Sequence, residues 1–326
     1  MKITCFGSRG SLPSPSRAYD NFHTEEFGGN TTCYLIEAGP FTIKIDDGSG
    51  SAVLGNHLMK TKQFGPNGVN ELDIINLCTH YHSDHIQGVG FHAPFYFGEN
   101  CYHFHGPSPS NEAHNDYGIN IVKQMLSQNQ EAPYFPVPHR ELPAKKHYKE
   151  HSAQFSEVFY YGHFKGDFTY IPEMKNYDIT SEYEERNYIK ITTIPLIHPN
   201  DCLGYLIEYC GKKLAFCTDC EPMRYPNAKI KKIWLGADIL FMDGQYTEEQ
   251  IAGMTQGFGH GTPKSCLEQA EATAIPKLVI IHHDPSHDDT TLTTMEQEIQ
   301  AHLKEKTDYS YVESVEFARE GTAWQL

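Results

Sequence analysis

The stretch Thr79-His80-Tyr81-His82-Ser83-Asp84-His85 follows directly on the apolar run Ile74-Ile75-Asn76-Leu77-Cys78. Such a run reads as a buried strand, and it would deliver four metal-capable side chains to its exposed end. In extended chain His80 and His82 point to the same side, where two imidazoles can share one cation. Asp84 and His85 then need a turn, the start of a helix, to bring a carboxylate and a third imidazole to an adjacent point. Two neighbouring cations could be served. In a chain with 19 His a lone His-x-His pair would mean little. The added Asp and His at these offsets, straight after a strand, make metal binding the expectation.

His80-x-His82-x-Asp84-His85 resembles the signature of the metallo-β-lactamase-fold hydrolases. The resemblance implies an α/β fold, a four-layer αββα sandwich with a dinuclear metal site between its two sheets, and it extends along almost the whole chain. Cys33–Glu37 and Phe41–Ile45 read as a hairpin about Ala38-Gly39-Pro40, running into Asp46-Asp47-Gly48. That segment is similar to the family's Asp-x-Gly, which implies that Asp46 braces a ligand imidazole from behind; Asp47 stands where the family more often has a small residue. Gly28-Gly29-Asn30-Thr31 resembles a stretch of a phosphodiesterase-like branch in which Asn and Thr face the site, so Asn30 and Thr31 are candidate substrate or supporting residues. Ala132-Pro-Tyr-Phe-Pro-Val-Pro138 and Glu141-Leu-Pro143 resemble runs of the same branch.

The second half supplies further donors. His198 follows the strand Ile189–Ile194 across Pro195-Leu-Ile, and a strand end is where the fold needs its next ligand. A hairpin, Gly204–Tyr209 and Lys213–Cys217, leads into Thr218-Asp219, and Asp219 resembles the family's bridging aspartate. Gly257-Phe-Gly-His260-Gly-Thr262 looks like the Gly-His-Ser/Thr element of ribonuclease Z-type phosphodiesterases, which implies that His260 faces a scissile phosphate without binding metal. The strand Lys277–Ile281 ends in His282-His283, and it can aim only one of two successive side chains at the site. The resemblance selects His282, with His283 as a supporting neighbour.

The implied inventory is His80, His82 and His198 on one cation, Asp84, His85 and His282 on the other, and Asp219 between them. The implied cofactors are two divalent ions: zinc suits an imidazole-rich set, and the carboxylate share admits manganese or iron. Asp84 would orient or deprotonate the nucleophile; His260 would hydrogen-bond a phosphoryl oxygen or protonate the leaving alkoxide.

The 326 residues read as a single domain, in which 91–188 looks irregular, rich in Pro, Tyr and His, with one helix around Ile119 to Ser127. A stretch that long is expected to cover the site and choose the substrate. Within it His103-Phe-His105 copies the spacing of the metal motif with nothing to complete it, and reads as a strand with two outward histidines.

Lys and Arg number 26 against 42 Asp and Glu, a net charge of −16. Affinity for long nucleic acid comes largely from cations that replace condensed counterions, so a surface this negative argues against such a partner. The expected partner is a small phosphodiester, a cyclic nucleotide or another low-molecular-weight diester, and a homodimer is allowed. With no run of eighteen apolar residues, no hydrophobic leader after Met1 and nine scattered Cys, the expectation is a soluble, cytoplasmic protein with no membrane partner. The leading function is therefore metal-dependent hydrolysis of a small phosphodiester. The alternatives are a tRNA 3′-processing endonuclease, a lactam or thioester hydrolase, and a metal- or nucleotide-binding sensor without turnover.

Overall fold

Along Cys33–Ala38, Tyr34, Ile36 and Ala38 join one buried cluster while Cys33 and Leu35 join another. A strand apolar on both faces belongs to a sheet with packing on either side, and helices on one face of each of two stacked sheets provide it. The computed structural model describes residues 1–61, 72–108, 120–164, 167–172, 186–221, 232–253, 255–305 and 309–326, and it has this architecture.

The strands are β1 (Lys2–Gly7), β2 (Cys33–Ala38), β3 (Phe41–Ile45), β4 (Asp73–Leu77), β5 (Cys101–Ser108), β6 (Lys145–Ser152), β7 (Val158–Phe164) and β8 (Asp167–Ile171). There follow β9 (Tyr188–Leu196), β10 (Cys202–Tyr209), β11 (Lys212–Cys217), β12 (Ile239–Asp243), β13 (Lys277–Ile281), β14 (Ser314–Phe317) and β15 (Ala323–Gln325). A seven-stranded sheet has the order β15-β1-β2-β3-β4-β5-β6, and an eight-stranded sheet the order β14-β13-β12-β11-β10-β9-β7-β8. Their inner faces meet in a core that holds Tyr34 4.9 Å from Phe216, with Ile36, Ile75, Leu77, Phe241 and Ile281 around them.

The outer face of the first sheet is covered by α1 (Gly50–Thr61), through Leu54 and Leu58. A single turn, α2 (Ser83–Ile86), follows β4, and α3 (Ile121–Asn129) adds Val122 and Leu126 to the same outer cluster. A short α4 (Glu248–Ala252) follows β12. The second sheet is covered by α5 (Pro263–Ala272), with Cys266, Leu267 and Ala270, and by α6 (Asp289–Glu305), with Leu292, Met295 and Ile299. Helix α5 starts on a capping box between Thr262 and Ser265 with Pro263 at its first position, as its sequence requires. Asp288, just ahead of α6, accepts from the Thr291 amide and hydroxyl. None of the described helices is long and apolar enough to cross a membrane.

The described parts of 91–188 differ from their irregular reading; Ile119, where the expected helix begins, lies outside the described residues. Strands β5 and β6 extend the first sheet, β7 and β8 end the second, and α3 packs outside. The signal was hidden because β6, Lys-Lys-His-Tyr-Lys-Glu-His-Ser, alternates between exposed and half-buried positions with hardly an aliphatic residue. His103 and His105 also correct the expectation of outward rings: they lie between the sheets. His105 is fully buried, its Nδ1 2.7 Å from His151 Nε2 and its Nε2 2.8 Å from the Tyr161 hydroxyl.

Burial pushes His92 down to about 3 and His139 to about 4, and holds His105 well below its ordinary value. Above pH 6.5 these rings are neutral whether the chain is folded or not. Below it the unfolded chain takes up protons that the folded chain refuses, so stability is lost as pH falls. Each ring costs about 1.4 kcal/mol per unit of pH in that window. The urea midpoint of chelator-treated protein is therefore expected to drop between pH 6.5 and 5; a flat or rising midpoint would contradict neutral burial of these rings.

Candidate metal centre

Every candidate donor lies beyond the carboxyl end of a strand or in a turn that continues it. The turn 78–85 is pinned from both sheets: the Cys78 amide donates to His105, the Leu203 amide donates to the Thr79 carbonyl, and the Tyr205 hydroxyl donates to the Cys78 carbonyl at 2.6 Å. The turn therefore has little freedom, and α2 swings Asp84 and His85 round beside the two imidazoles that precede them.

Three overlapping groups of ligand atoms result: His80, His82, His198 and Asp219 in the first, Asp84, His85, Asp219 and His282 in the second, and Asp219, Asp243, His260 and His282 in a third that shares two members with the second. In the second, His85 Nε2 lies 3.1 Å from Asp84 Oδ2, 3.2 Å from Asp219 Oδ1 and 3.3 Å from His282 Nε2. His282 Nε2 lies 3.3 Å from Asp84 Oδ2 and 3.1 Å from Asp219 Oδ1. A tetrahedral ion with bonds of about 2.0 Å holds its donors about 3.3 Å apart, so this spacing fits one cation. In the first group His82 Nδ1 lies 2.9 Å from His80 Nε2 and 3.2 Å from His198 Nε2. Asp219 Oδ2 lies 3.5 Å from His80 Nε2 and 3.9 Å from His198 Nε2, so the two oxygens of Asp219 serve different groups.

What each imidazole does with its other nitrogen decides whether a lone pair faces inward. His85 Nδ1 donates to Asp46 Oδ2 at 2.8 Å, His282 Nδ1 to Gln245 Oε1 at 3.0 Å, and His198 Nδ1 to the Gly259 carbonyl at 3.1 Å. His80 Nδ1 lies 3.1 Å from the Thr79 hydroxyl, whose own proton goes to Asp46, so that oxygen accepts from the ring. His82 differs: its Nε2 accepts from Asn200 Nδ2 at 2.7 Å, which leaves the ring proton on Nδ1. In the other four rings outward protons leave inward lone pairs, and these converge with the Asp84 and Asp219 carboxylates in a nearly dry space. Such a set of acceptors calls for a cation.

The field says the same. Burial would raise the Asp219 pKa, but His282, His85 and His80 hold it well below the ordinary carboxylate range. Burial would lower that of His85, but Asp219, Asp84 and Asp46 outweigh it and push the ring well above its usual value. His80, farther from the carboxylates, is held low by burial and by His85. Positive charge is favoured at the point between Asp84 and Asp219.

His260 stands against the first two groups. Its ring is stacked 5.0 Å from that of His282 and lies edge-on 5.3 Å from that of His198. Nδ1 contacts Asp243 Oδ2 at 2.7 Å, and Asp243 is fully buried at the end of β12. Burial alone would lower the pKa of the ring; the Asp243 carboxylate outweighs it, with Asp219 and Asp84 adding to the effect, and brings it up to about 9.

Asp46 accepts from His85 and from the amide and hydroxyl of Thr79. Asp47 points the other way, into a buried ion pair with Lys44, with Asn76 and Ser51 as further donors. Asn30, Thr31 and His283 are not brought into the donor groups. Asn30 bonds Ser49 and Glu320, Thr31 bonds Ser49 and Gln87, and the His283 ring donates to the Ala318 carbonyl against Phe317.

Sequence reasoning passed over Gln245, Asp243, Thr79, Asn200 and the first loop. The shared signal was position, since each lies at or beyond a strand end in the same layer as a predicted ligand. In that loop the Ser11 amide donates to Asp84 Oδ2 at 2.7 Å. Buried Arg9 ties the loop down by donating to the carbonyls of Gly28, Asp284 and His287. Gly10 lies flat against His282: a Cβ there would fall 2.3 to 2.7 Å from three atoms of the ring.

The family model described as a beta-lactamase superfamily domain matches residues 42–283, and the chain belongs to that superfamily. Its members are metal-dependent hydrolases, and this chain carries donor groups suited to that chemistry. Similar solved structures include a diphosphatase of the PhnP family (14% identity, TM-score 0.59, covering 100% of this chain and 97% of that one). The YhfI protein of Bacillus subtilis, a metallo-beta-lactamase fold protein, is 16% identical, with a TM-score of 0.54, covering 99% of this chain and 98% of its own. Human short-form tRNase Z is 15% identical, with a TM-score of 0.54, covering 100% and 99%. Comparison with curated proteins returned no match.

Two substitutions test the scaffold. Gly10→Ala is expected to displace the His282 ring and weaken metal binding by roughly 10- to 100-fold, the usual cost of losing support behind a ligand. Calorimetric metal titration reads this, and unchanged affinity would remove His282 from the ligand set. Arg9→Met is expected to cost about 3 kcal/mol in urea unfolding, because it strips buried carbonyls of a charged donor.

Proposed function

We propose that the chain is a dinuclear metal-dependent phosphodiesterase acting on a small substrate, a cyclic nucleotide or another low-molecular-weight diester. In this reading His80, His82, His198 and Asp219 hold one ion and Asp84, His85, Asp219 and His282 the other; zinc is the resident metal, with manganese or iron as the alternatives. The ions supply Lewis acidity and a nucleophile from water at neutral pH.

The observation that carries the reading is His260. A ring whose Nδ1 is committed to Asp243, packed against His198 and His282, keeps Nε2 for a substrate. Placed beside both groups, it suits an oxygen that gains negative charge as a P–O bond breaks, and Asp243 keeps the proton available there. Asp84, fixed by the Ser11 amide, orients the attacking group. The similar folds act on different substrates, so fold does not choose among them. The net charge of −16 favours a small diester over a long polyanion.

Cyclic AMP, bis(p-nitrophenyl) phosphate and precursor tRNA assayed side by side test the substrate class. Turnover of the small diesters is expected; efficient tRNA cleavage with no small-diester activity would sink the proposal. His260→Ala should lower kcat/KM on an alkyl diester by roughly 10²- to 10⁴-fold with metal content unchanged. The loss should be smaller with p-nitrophenolate, a leaving group that needs no proton. If His260→Ala is nearly harmless on every ester, lactam or thioester hydrolysis becomes the better reading. Chelation should abolish activity and added zinc or manganese restore it.

A further inference from the structure

A separate set of metal-type donors lies at the other end of the first sheet. Strands β4 and β5 run parallel with Asp73 opposite Cys101, so their first residues share an edge. His103, two residues along β5, projects to the same face as Cys101. Its Nε2 lies 3.5 Å from Cys101 Sγ and 3.8 Å from Asp73 Oδ1, and all three ligand atoms fall within 4.8 Å of one another. A tetrahedral ion bonded to sulfur at about 2.3 Å and to imidazole at about 2.0 Å sets those atoms about 3.5 Å apart, so the thiol and ring already have that spacing.

The setting suits a site. The His103 ring is held by stacking on His147 at 5.1 Å and by contacts with Tyr161 and Phe168, which limits the rotamer freedom that binding must remove. Asp73, Cys101 and His103 are each partly exposed, so an ion can reach them, whereas most of the chain's thiols are buried. Four steps of about 3.3 Å along β4 put this edge roughly 13 Å from the strand end that leads into the catalytic donors.

We propose that Asp73, Cys101 and His103 bind one thiophilic divalent cation of the zinc class, separate from the dinuclear centre, with a fourth position open to solvent. Binding replaces the Cys101 thiol proton by the metal and releases that proton to water. The ion cross-links the first turns of β4 and β5 and neutralises the Asp73 carboxylate at a sheet end that carries no catalytic group. The site stands whether or not the hydrolase is a phosphodiesterase, because none of its residues belongs to that machinery.

Cobalt substitution of the full chain tests this, because a thiolate–Co²⁺ bond gives a near-ultraviolet charge-transfer band and the catalytic donors are all nitrogen or oxygen. The band is expected in the unaltered protein and in Cys210→Ser, and absent in Cys101→Ser, which should also bind one equivalent fewer while keeping its hydrolytic activity. His103→Gln retains the thiol and should bind the extra cobalt at least tenfold more weakly. No band in the unaltered protein, a band that survives Cys101→Ser, or unchanged cobalt affinity in His103→Gln would each overturn the proposal.

Discussion

Five imidazole nitrogens and two buried carboxylates facing one another are the constraint on which this molecule turns. Without a cation the arrangement is unfavourable, since buried acceptors with no proton or metal between them cost several kcal/mol. The chain sustains it by fixing the far side of each ring: Asp46, Gln245, the Gly259 carbonyl, Thr79 and Asn200 each hold one. Rings held this way need little reorganisation to bind, so the cost of assembling the centre is met largely in folding.

Three residues of that assembly occupy left-handed backbone although none is glycine: Asp46 (φ 58°), Asp219 (φ 50°) and His282 (φ 64°). Each comes just after a strand, β3, β11 or β13, on the same edge of the sandwich. In a strand, side chains alternate strictly between the two faces, and none points along the strand axis into the rim where a shared ion can sit. A left-handed residue breaks the alternation at its end. Such backbone is sparsely populated for residues with a Cβ and persists only where surrounding bonds dictate it, which is the case for all three.

This explains how much of the molecule was legible in the sequence. The cluster 80–85 announced itself because its donors are contiguous and follow an apolar strand, and that strand also placed the first sheet. His282 and His283 could not be separated by alternation, because the left-handed turn lies at the choice itself; the family resemblance named the former. Gln245 and Asp243 went unnoticed since each is only one polar residue at or just past the end of a strand, and their meaning lies in the rings they touch. In β6 the apolar alternation is replaced by Lys, His and Tyr, whose stems and rings pack while their tips stay polar. A pattern that sorts residues into apolar and polar cannot see them, so this edge of the sandwich reads as loop.

The division of the donors between sheets gives the core a direct part in the chemistry. The first sheet carries His80, His82, Asp84, His85 and the brace Asp46; the second carries His198, Asp219 and His282, with Asp243 holding His260. Neither half is a binding site alone. Their separation is fixed by the residues that pack the inner faces together, Tyr34 against Phe216 and Phe241 above all, with Ile36, Ile75 and Leu77 beneath. A core at crystal-like density transmits a change of one methylene to its boundaries, while two groups sharing a carboxylate tolerate displacements of only a few tenths of an ångström. Inner-core positions of this fold are thus positioning residues for the centre as well as sources of stability, and the two roles cannot be selected separately.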